Sequence, residues 1–102
     1  MKNCKINEKN DLIVITLPTI FDYKQHESLR GVYLRKDPGS TYEIDFKHVG
    51  SVQSSSLAIF LLLKEHNGSE KGEIRFINCS EDVLKVMKFS KFDKSFSIAA
   101  LS

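Results

Sequence analysis

The sequence has few cysteines, no long apolar run and no clustered charge, and each of these shortages argues against a class of protein. Cys4 and Cys79 lie far apart and form no CxxC pair, so we expect two reduced, partly buried thiols and neither a disulfide framework nor a zinc site. The longest apolar run covers residues 57–63, whereas a membrane-spanning helix needs about 20 apolar residues. A membrane-embedded protein is therefore not expected.

The charge balance and the length also limit the classes of protein and the number of domains that we expect. Fifteen basic and thirteen acidic side chains leave a formal charge of +2, and the basic positions are scattered, so nucleic-acid binding is not indicated. Residues 1–10 are charged and lack the apolar run of a signal peptide. We expect a mature chain that begins near Met1 and is cytoplasmic. A length of 102 residues with 41% hydrophobic content predicts one domain, residues 1–102, with one core.

The motifs of common enzymes are missing as well. His26, His48 and His66 show no HExxH-type spacing, and no glycine elbow surrounds a serine. GxGxxG and GxxxxGK[ST] are absent, so no nucleotide site is indicated. We interpret the histidines as surface or partly buried residues and expect no catalytic residue, no metal site and no cofactor. A protein that binds a protein partner, and not an enzyme, is the prediction.

Periodicity and capping signals predict alternating strands and helices. Tyr42, Ile44 and Phe46 alternate with charged residues, which is typical of a strand with one buried face. Asp22 and Ser80 are predicted N-caps. Residues 36–40, with Pro38 and Gly39, are predicted to break the first helix, and Asn67-Gly68 is predicted to stop the second. Strands are predicted over residues 3–8, 12–17, 42–47, 73–78 and 94–99, and helices over 22–34, 57–65 and 80–89. The order β-β-α-β-α-β-α-β predicts an α/β fold that opens with a hairpin and continues with parallel strands joined by right-handed crossovers.

The segment IDFKHVGSVQSSSL, residues 44–57, resembles the central signature of the STAS family. In bacterial anti-sigma factor antagonists of that family, a strand end and a short loop lead into Asp-Ser-Ser-Gly-Leu at a helix start. The two align without a gap, and residues 78–83 and 88–98 resemble the family's later segment. The resemblance implies a STAS-type mixed sheet with helices mainly on one face.

The resemblance also implies a regulatory site. The family's phosphoserine corresponds to Ser54, with Ser56 and Ser55 as alternatives, while Gln53 and Ser56 replace the family's Asp and Gly. The simpler interpretation is that a serine only caps the helix. Most of residues 57–63 is expected in the core, with Ala58, Leu61 and Leu62 as interface candidates. The predicted partner-binding residues are Gln53, Ser54, Ser55, Ser56, Ala58, Leu61 and Leu62.

Two kinds of partner follow from this resemblance. The first is a serine kinase resembling a histidine-kinase ATPase or an anti-sigma factor, with a serine phosphatase that reverses the modification. Partner switching, in which phosphorylation and dephosphorylation decide which protein is bound, would regulate transcription. The alternative is a STAS subunit that stabilises the ATPase of a lipid ABC transporter and needs no phosphorylation. The oligomeric state stays open.

Overall fold

The computed structural model describes residues 4–35, 39–68 and 74–101. Within them the order β-β-α-β-α-β-α-β is confirmed. Short 3₁₀ turns at Tyr23–Gln25, Ser54–Leu57 and Phe92–Lys94 precede the first helix, the second helix and the last strand. The strands are β1 (Lys5–Lys9), β2 (Leu12–Thr16), β3 (Thr41–Asp45), β4 (Ile74–Cys79) and β5 (Ser97–Ala100), and the helices are α1 (His26–Tyr33), α2 (Ala58–Asn67) and α3 (Glu81–Phe89).

The five strands form one mixed sheet in the order β1-β2-β3-β4-β5. β1 and β2 pair antiparallel through a tight turn in which Asn10 takes a φ of 57°, a conformation that asparagine tolerates. The other neighbouring pairs are parallel. Because successive strands lie side by side, right-handed crossovers place α1, α2 and α3 on the same face of the sheet.

The sheet buries its helix-facing side chains and leaves the opposite face open. Tyr42 and Ile44 on β3 are fully buried, and Phe46 just beyond the strand is buried with them, as the alternation predicted. Glu43 points to the open face, where its carboxylate lies 3.0 Å from the guanidinium of Arg75 on β4. The open face is therefore polar and partly solvated.

An aromatic cluster forms the centre of the core around Phe76. Its ring centroid lies 5.1 Å from that of Phe60 on α2 and 4.8 Å from that of Phe96. Phe92 packs on both Phe76 and Phe96 and anchors the turn Phe92–Lys94. The last strand was predicted to start at residue 94, which is wrong because this packing holds residues 92–94 in a turn, so β5 begins at Ser97.

Asp22, Ser80 and Gly68 lie at helix ends as predicted, with a local difference at Asp22. Asp22 is an N-cap, but its carboxylate accepts the N–H of Lys24 at the head of a 3₁₀ turn, and α1 begins only at His26. Ser80 caps α3 by accepting the N–H of Val83. Gly68 ends α2 with a φ of 61°, which glycine adopts without strain.

Two predicted boundaries touch residues that the structure does not describe. Residue 3 of the first predicted strand and residue 73 of the fourth lie outside the described residues. Pro38 of the predicted helix break also lies outside them, while Gly39 has the positive φ, 91°, that a sharp turn requires. Within the described ranges, no helix is both long enough and apolar enough to cross a bilayer.

Candidate functional site

The serine segment lies at the carboxyl edge of the parallel strands, after the loop of residues 46–53. Val49 and Val52 in this loop are buried in the core, and the N–H of Phe46 donates to the carbonyl of Ile77 at 2.9 Å. Buried side chains at residues 46, 49 and 52 therefore hold the loop against the core, while residues 47, 48, 50, 51 and 53 are exposed.

Asp45 fixes the first part of the loop. Its buried carboxylate accepts the backbone N–H of Lys47 at 2.9 Å and the side-chain amide of Asn78 at 3.0 Å. Asn78 has a φ of 57°, which turns its amide toward Asp45 at an irregularity in β4. The Lys47 ammonium lies 3.8 Å from the same carboxylate. Burial of Asp45 is thus offset by hydrogen bonds and a positive charge.

Two more contacts tie the loop to the neighbouring helices. The hydroxyl of Ser80, at the start of α3, donates to the carbonyl of Gly50 at 3.0 Å. The Nε2 atom of His26, at the start of α1, lies within hydrogen-bond distance, 3.1 Å, of the carbonyl oxygen of Ser56. Groups from α1, β3 and α3 therefore hold the segment that carries the serines in one arrangement.

The serine segment forms the 3₁₀ turn Ser54–Leu57, in which the serines have different environments. Gln53, Ser54 and Ser55 are exposed, whereas Ser56 is only 4% exposed. The prediction that a serine caps this helix is wrong, because Gln53 occupies the N-cap position and no side chain makes a cap hydrogen bond there. The 3₁₀ geometry instead pairs the N–H of Ser56 with the carbonyl of Gln53 at 3.0 Å.

The apolar run of α2 is divided between the core and the surface. Leu57, Ile59, Phe60 and Leu63 are buried, as expected for most of the run. The three predicted interface residues, Ala58, Leu61 and Leu62, are exposed, with Leu61 at 48% and Leu62 at 46%. Their spacing from Ser54 places them on one side of the turn and helix. The structure therefore groups the predicted site residues, with Ser56 set inward.

A groove beside the serines includes residues that the sequence analysis did not select. Residues 19–23, after β2, and residues 50–53, 55 and 56 line a groove of about 570 Å³, a volume within the usual range for binding pockets. In the first of these segments, the side chains of Ile20 and Tyr23 are each 72% exposed. Ile20 precedes the first predicted helix, residues 22–34, and no pattern in the sequence marked Ile20 or Tyr23 as part of a site.

The histidines and the two thiols of the described residues differ in their burial. His26 and His66 are partly buried and His48 is exposed, as interpreted from the sequence. Burial and the charge of Asp45 raise the pKa of the Cys79 thiol to about 12, and burial raises the pKa of Cys4 to about 11. Both thiols are free. In the part of the chain that the structure describes, no three His, Cys, Asp or Glu side chains gather as metal ligands.

Comparison with solved structures identifies the class of fold. A STAS-domain protein of Planctomyces limnophilus superposes with a TM-score of 0.77 at 13% identity, over 98% of this chain and 92% of that one. A Thermotoga maritima protein described as a candidate anti-sigma factor antagonist also gives 0.77, at 12% identity, over 94% of this chain and 85% of that one. The chain thus has the STAS-type α/β fold.

Sequence comparison identifies the family. No model of a known protein family matches the chain. A STAS-domain containing protein of Pseudomonas aeruginosa is 32% identical over 88 residues, which cover 85% of this chain and 87% of the relative. The chain belongs to the STAS-domain family.

Proposed function

We propose that this chain is a regulator, not an enzyme, that binds a protein partner through the serine turn and the exposed side of α2, under the control of phosphorylation at Ser54. The observation that supports this most directly is an exposed hydroxyl on a firmly held turn, next to the exposed Leu61 and Leu62. Paired apolar side chains next to a modifiable polar group are suited to reversible binding.

The burial of the serines favours Ser54 and Ser55 over Ser56 as the acceptor, and the resemblance to the family's phosphoserine position favours Ser54. Ser54 and Ser55 are exposed, so a kinase can reach their hydroxyls without unfolding the turn. Ser56 is 4% exposed, and its carbonyl is the partner of His26. Modification of Ser56 would require the turn to open, because a phosphate cannot be buried there without large cost.

The effect of the phosphate follows from its charge. A phosphoserine carries about −1.5 to −2 charges and lies here at the positive end of the α2 dipole, where the domain can hold it. A partner packed over Leu61 and Leu62 would have to bury that charge, which is unfavourable unless the partner pairs it. Phosphorylation is therefore proposed to release the partner, and dephosphorylation to restore binding.

The groove between residues 19–23 and residues 50–53, 55 and 56 extends the proposed interface. Ile20 and Tyr23 are both 72% exposed and lie at a groove of about 570 Å³ that adjoins Ser55 and Ser56. Large side chains that stay exposed beside a groove gain free energy when a partner covers them. We include them in the docking surface.

The proposed partner is a serine kinase resembling a histidine-kinase ATPase or an anti-sigma factor. A serine phosphatase removes the phosphate. The Thermotoga maritima structure, described as a candidate anti-sigma factor antagonist, shares the fold and supports this choice of partner class. In this proposal the partner supplies ATP and the catalytic groups, and this chain supplies the hydroxyl.

A second function is favoured by Gln53. Glutamine occupies the N-cap position, where the family's aspartate would stand, and makes no cap hydrogen bond. A chain that serves as a constant structural subunit on the ATPase of a lipid ABC transporter would need neither that carboxylate nor a modifiable serine. This alternative uses the same exposed side of α2.

Affinity capture from the native cells tests the proposal, with mass spectrometry of the bound proteins and of residues 53–64. The tagged baits are wild type, Ser54→Ala, Ser54→Asp and Ile20→Ser, with Ser97→Asp on β5 as the matched control because Ser97 is exposed and lies on the open face of the sheet. A kinase-like ATPase should be retained by wild type, Ser54→Ala and the control. It should be depleted from Ser54→Asp and Ile20→Ser, and part of the wild-type protein should carry phosphate on Ser54.

Two other results would contradict the proposed regulation through Ser54. Transporter subunits retained equally by wild type, Ser54→Ala and Ser54→Asp, with unmodified serines, would establish the structural subunit instead. Equal retention of a kinase by every bait would contradict a role for Ser54 in controlling the interaction.

A further inference from the structure

The far end of α3 carries an exposed phenylalanine among lysines, in a region that the proposed docking surface does not include. Phe89 is 87% exposed, more than any other large hydrophobic side chain among the described residues. Lys85 and Lys88 lie beside it on the outward side of the last turn of α3, and Lys91 and Lys94 follow after the helix end. We call Lys85, Lys88, Phe89, Lys91 and Lys94 the lysine corner.

The charge of the corner is concentrated and unpaired. Residues 85–94 contain four lysines and one acidic residue, Asp93, although the basic residues look scattered over the whole sequence. All four lysines are exposed, and none forms an ion pair with another residue in the ranges 4–35, 39–68 and 74–101. Lys91 even has a φ of 61°, a conformation more usual for glycine at a helix end.

The geometry and charge of the corner indicate what can bind there. A stable protein interface buries about 800 Å² on each side in a patch of matching shape. A single protruding ring among flexible side chains provides no such patch. A lipid interface needs no matching shape, since an aromatic ring can enter the headgroup region while the lysine stems extend toward anionic headgroups. We propose that the lysine corner binds the surface of an anionic lipid bilayer.

The position of the lysine corner allows the chain to bind a bilayer and a protein partner at the serine turn at the same time. α2 and α3 both run antiparallel to the strands, so α2 starts at the carboxyl edge of the sheet and α3 ends at the opposite edge. The nine residues of α3 span roughly 13 Å. A chain bound through the corner presents Ser54 away from the bilayer. The proposal stands independently of any phosphorylation.

Vesicle sedimentation of the full chain tests this inference. The probes are vesicles of pure phosphatidylcholine and vesicles of equal parts phosphatidylcholine and phosphatidylglycerol. Wild type should sediment only with the mixed vesicles, and added salt should release it, because exposed charges are screened over about 10 Å at 0.1 M ionic strength. Phe89→Ser and the double variant Lys85→Glu/Lys88→Glu should bind at least about tenfold more weakly, since each lysine near an anionic surface strengthens binding roughly fivefold.

The matched control is Lys5→Glu/Lys9→Glu, which makes the same charge change at two exposed lysines of β1. It should retain more of the affinity than the corner variant, and circular dichroism verifies that every variant is folded. Equal sedimentation of wild type with both vesicles overturns the proposal, as does equal loss in the control. Retention on an immobilised acidic polypeptide, without retention on the mixed vesicles, would also overturn it and assign the corner to an acidic protein.

Discussion

His26 and Ser56 are thirty positions apart in sequence, yet the Nε2 atom of His26 lies 3.1 Å from the carbonyl oxygen of Ser56. The ring of His26 also packs against Phe21, with 6.3 Å between ring centroids. The first residue of α1 is thus connected to the turn that presents Ser54. The exposed serine therefore depends on a side chain from another helix for its position.

The first prediction concerns this contact. His26→Phe keeps a ring beside Phe21 but removes the group that bonds to Ser56, so we expect a loss of about 1 kcal/mol in the free energy of unfolding. Urea denaturation followed by circular dichroism measures it. His48→Ala is the control, because His48 is exposed and its replacement should change stability by less than about 0.5 kcal/mol. A His26→Phe midpoint equal to that of wild type would show that the bond contributes nothing.

The second prediction separates the serines by their burial. Ser56→Asp places a charge where the side chain is 4% exposed, and we expect it to cost about 2 to 3 kcal/mol of stability. Ser54→Asp introduces the same charge at an exposed position and should stay within about 0.5 kcal/mol of wild type. Thermal denaturation of the two variants checks this. Similar melting temperatures for both would mean that the turn opens readily enough to solvate either side chain.

The third prediction concerns Tyr42, whose buried hydroxyl has no hydrogen-bond partner among the described residues. Removing an unpaired buried hydroxyl is neutral or favourable, so Tyr42→Phe should raise the free energy of unfolding by up to about 1 kcal/mol at neutral pH. Tyr23→Phe is the control, because its side chain is 72% exposed and the change should have no effect. A Tyr42→Phe variant that is clearly less stable than wild type would indicate that the hydroxyl has a favourable role.

The fourth prediction is that the stability of the fold falls at alkaline pH, in part because of Tyr42. Burial raises the pKa of Tyr42 from 10.0 to about 12, and burial with the Asp45 charge raises that of Cys79 from 9.0 to about 12. The unfolded chain therefore loses these protons at lower pH than the folded chain, and stability should fall as pH rises above 9.0. The slope approaches about 1.4 kcal/mol per pH unit for each group. Urea unfolding over this range should show a shallower fall in Tyr42→Phe, and parallel curves would contradict the assignment.

The elements that were predicted correctly are those whose signals are local in sequence. The alternation around Tyr42 and Ile44 identified β3 and its buried face because side chains alternate along any strand. Ser80 marked the start of α3 because a cap acts within one turn. Gly68 marked the end of α2 for a similar reason, since its positive φ is a property of one residue.

The features that were missed depend on contacts between distant residues. The start of β5 is shifted because Phe92 and Phe96 pack on Phe76, which lies 16 and 20 residues earlier in the sequence. The 3₁₀ turn at Ser54–Leu57 is held by His26 and by the loop contact of Ser80 with Gly50. No local pattern encodes such pairs. The groove at Ile20 was not predicted because the exposure of an isoleucine depends on the whole fold.

The hydroxyl of Ser80 has a consequence for the dynamics of the site. It accepts the N–H of Val83 within α3 and donates to the carbonyl of Gly50 in the loop before the serine turn. Fraying of the first turn of α3 is therefore expected to break both bonds, so that the loop loses an anchor when that turn opens. Slow amide hydrogen exchange in the loop and in the start of α3 should share one opening event. We therefore expect the two segments to open as a single cooperative unit, although they are separate in the sequence.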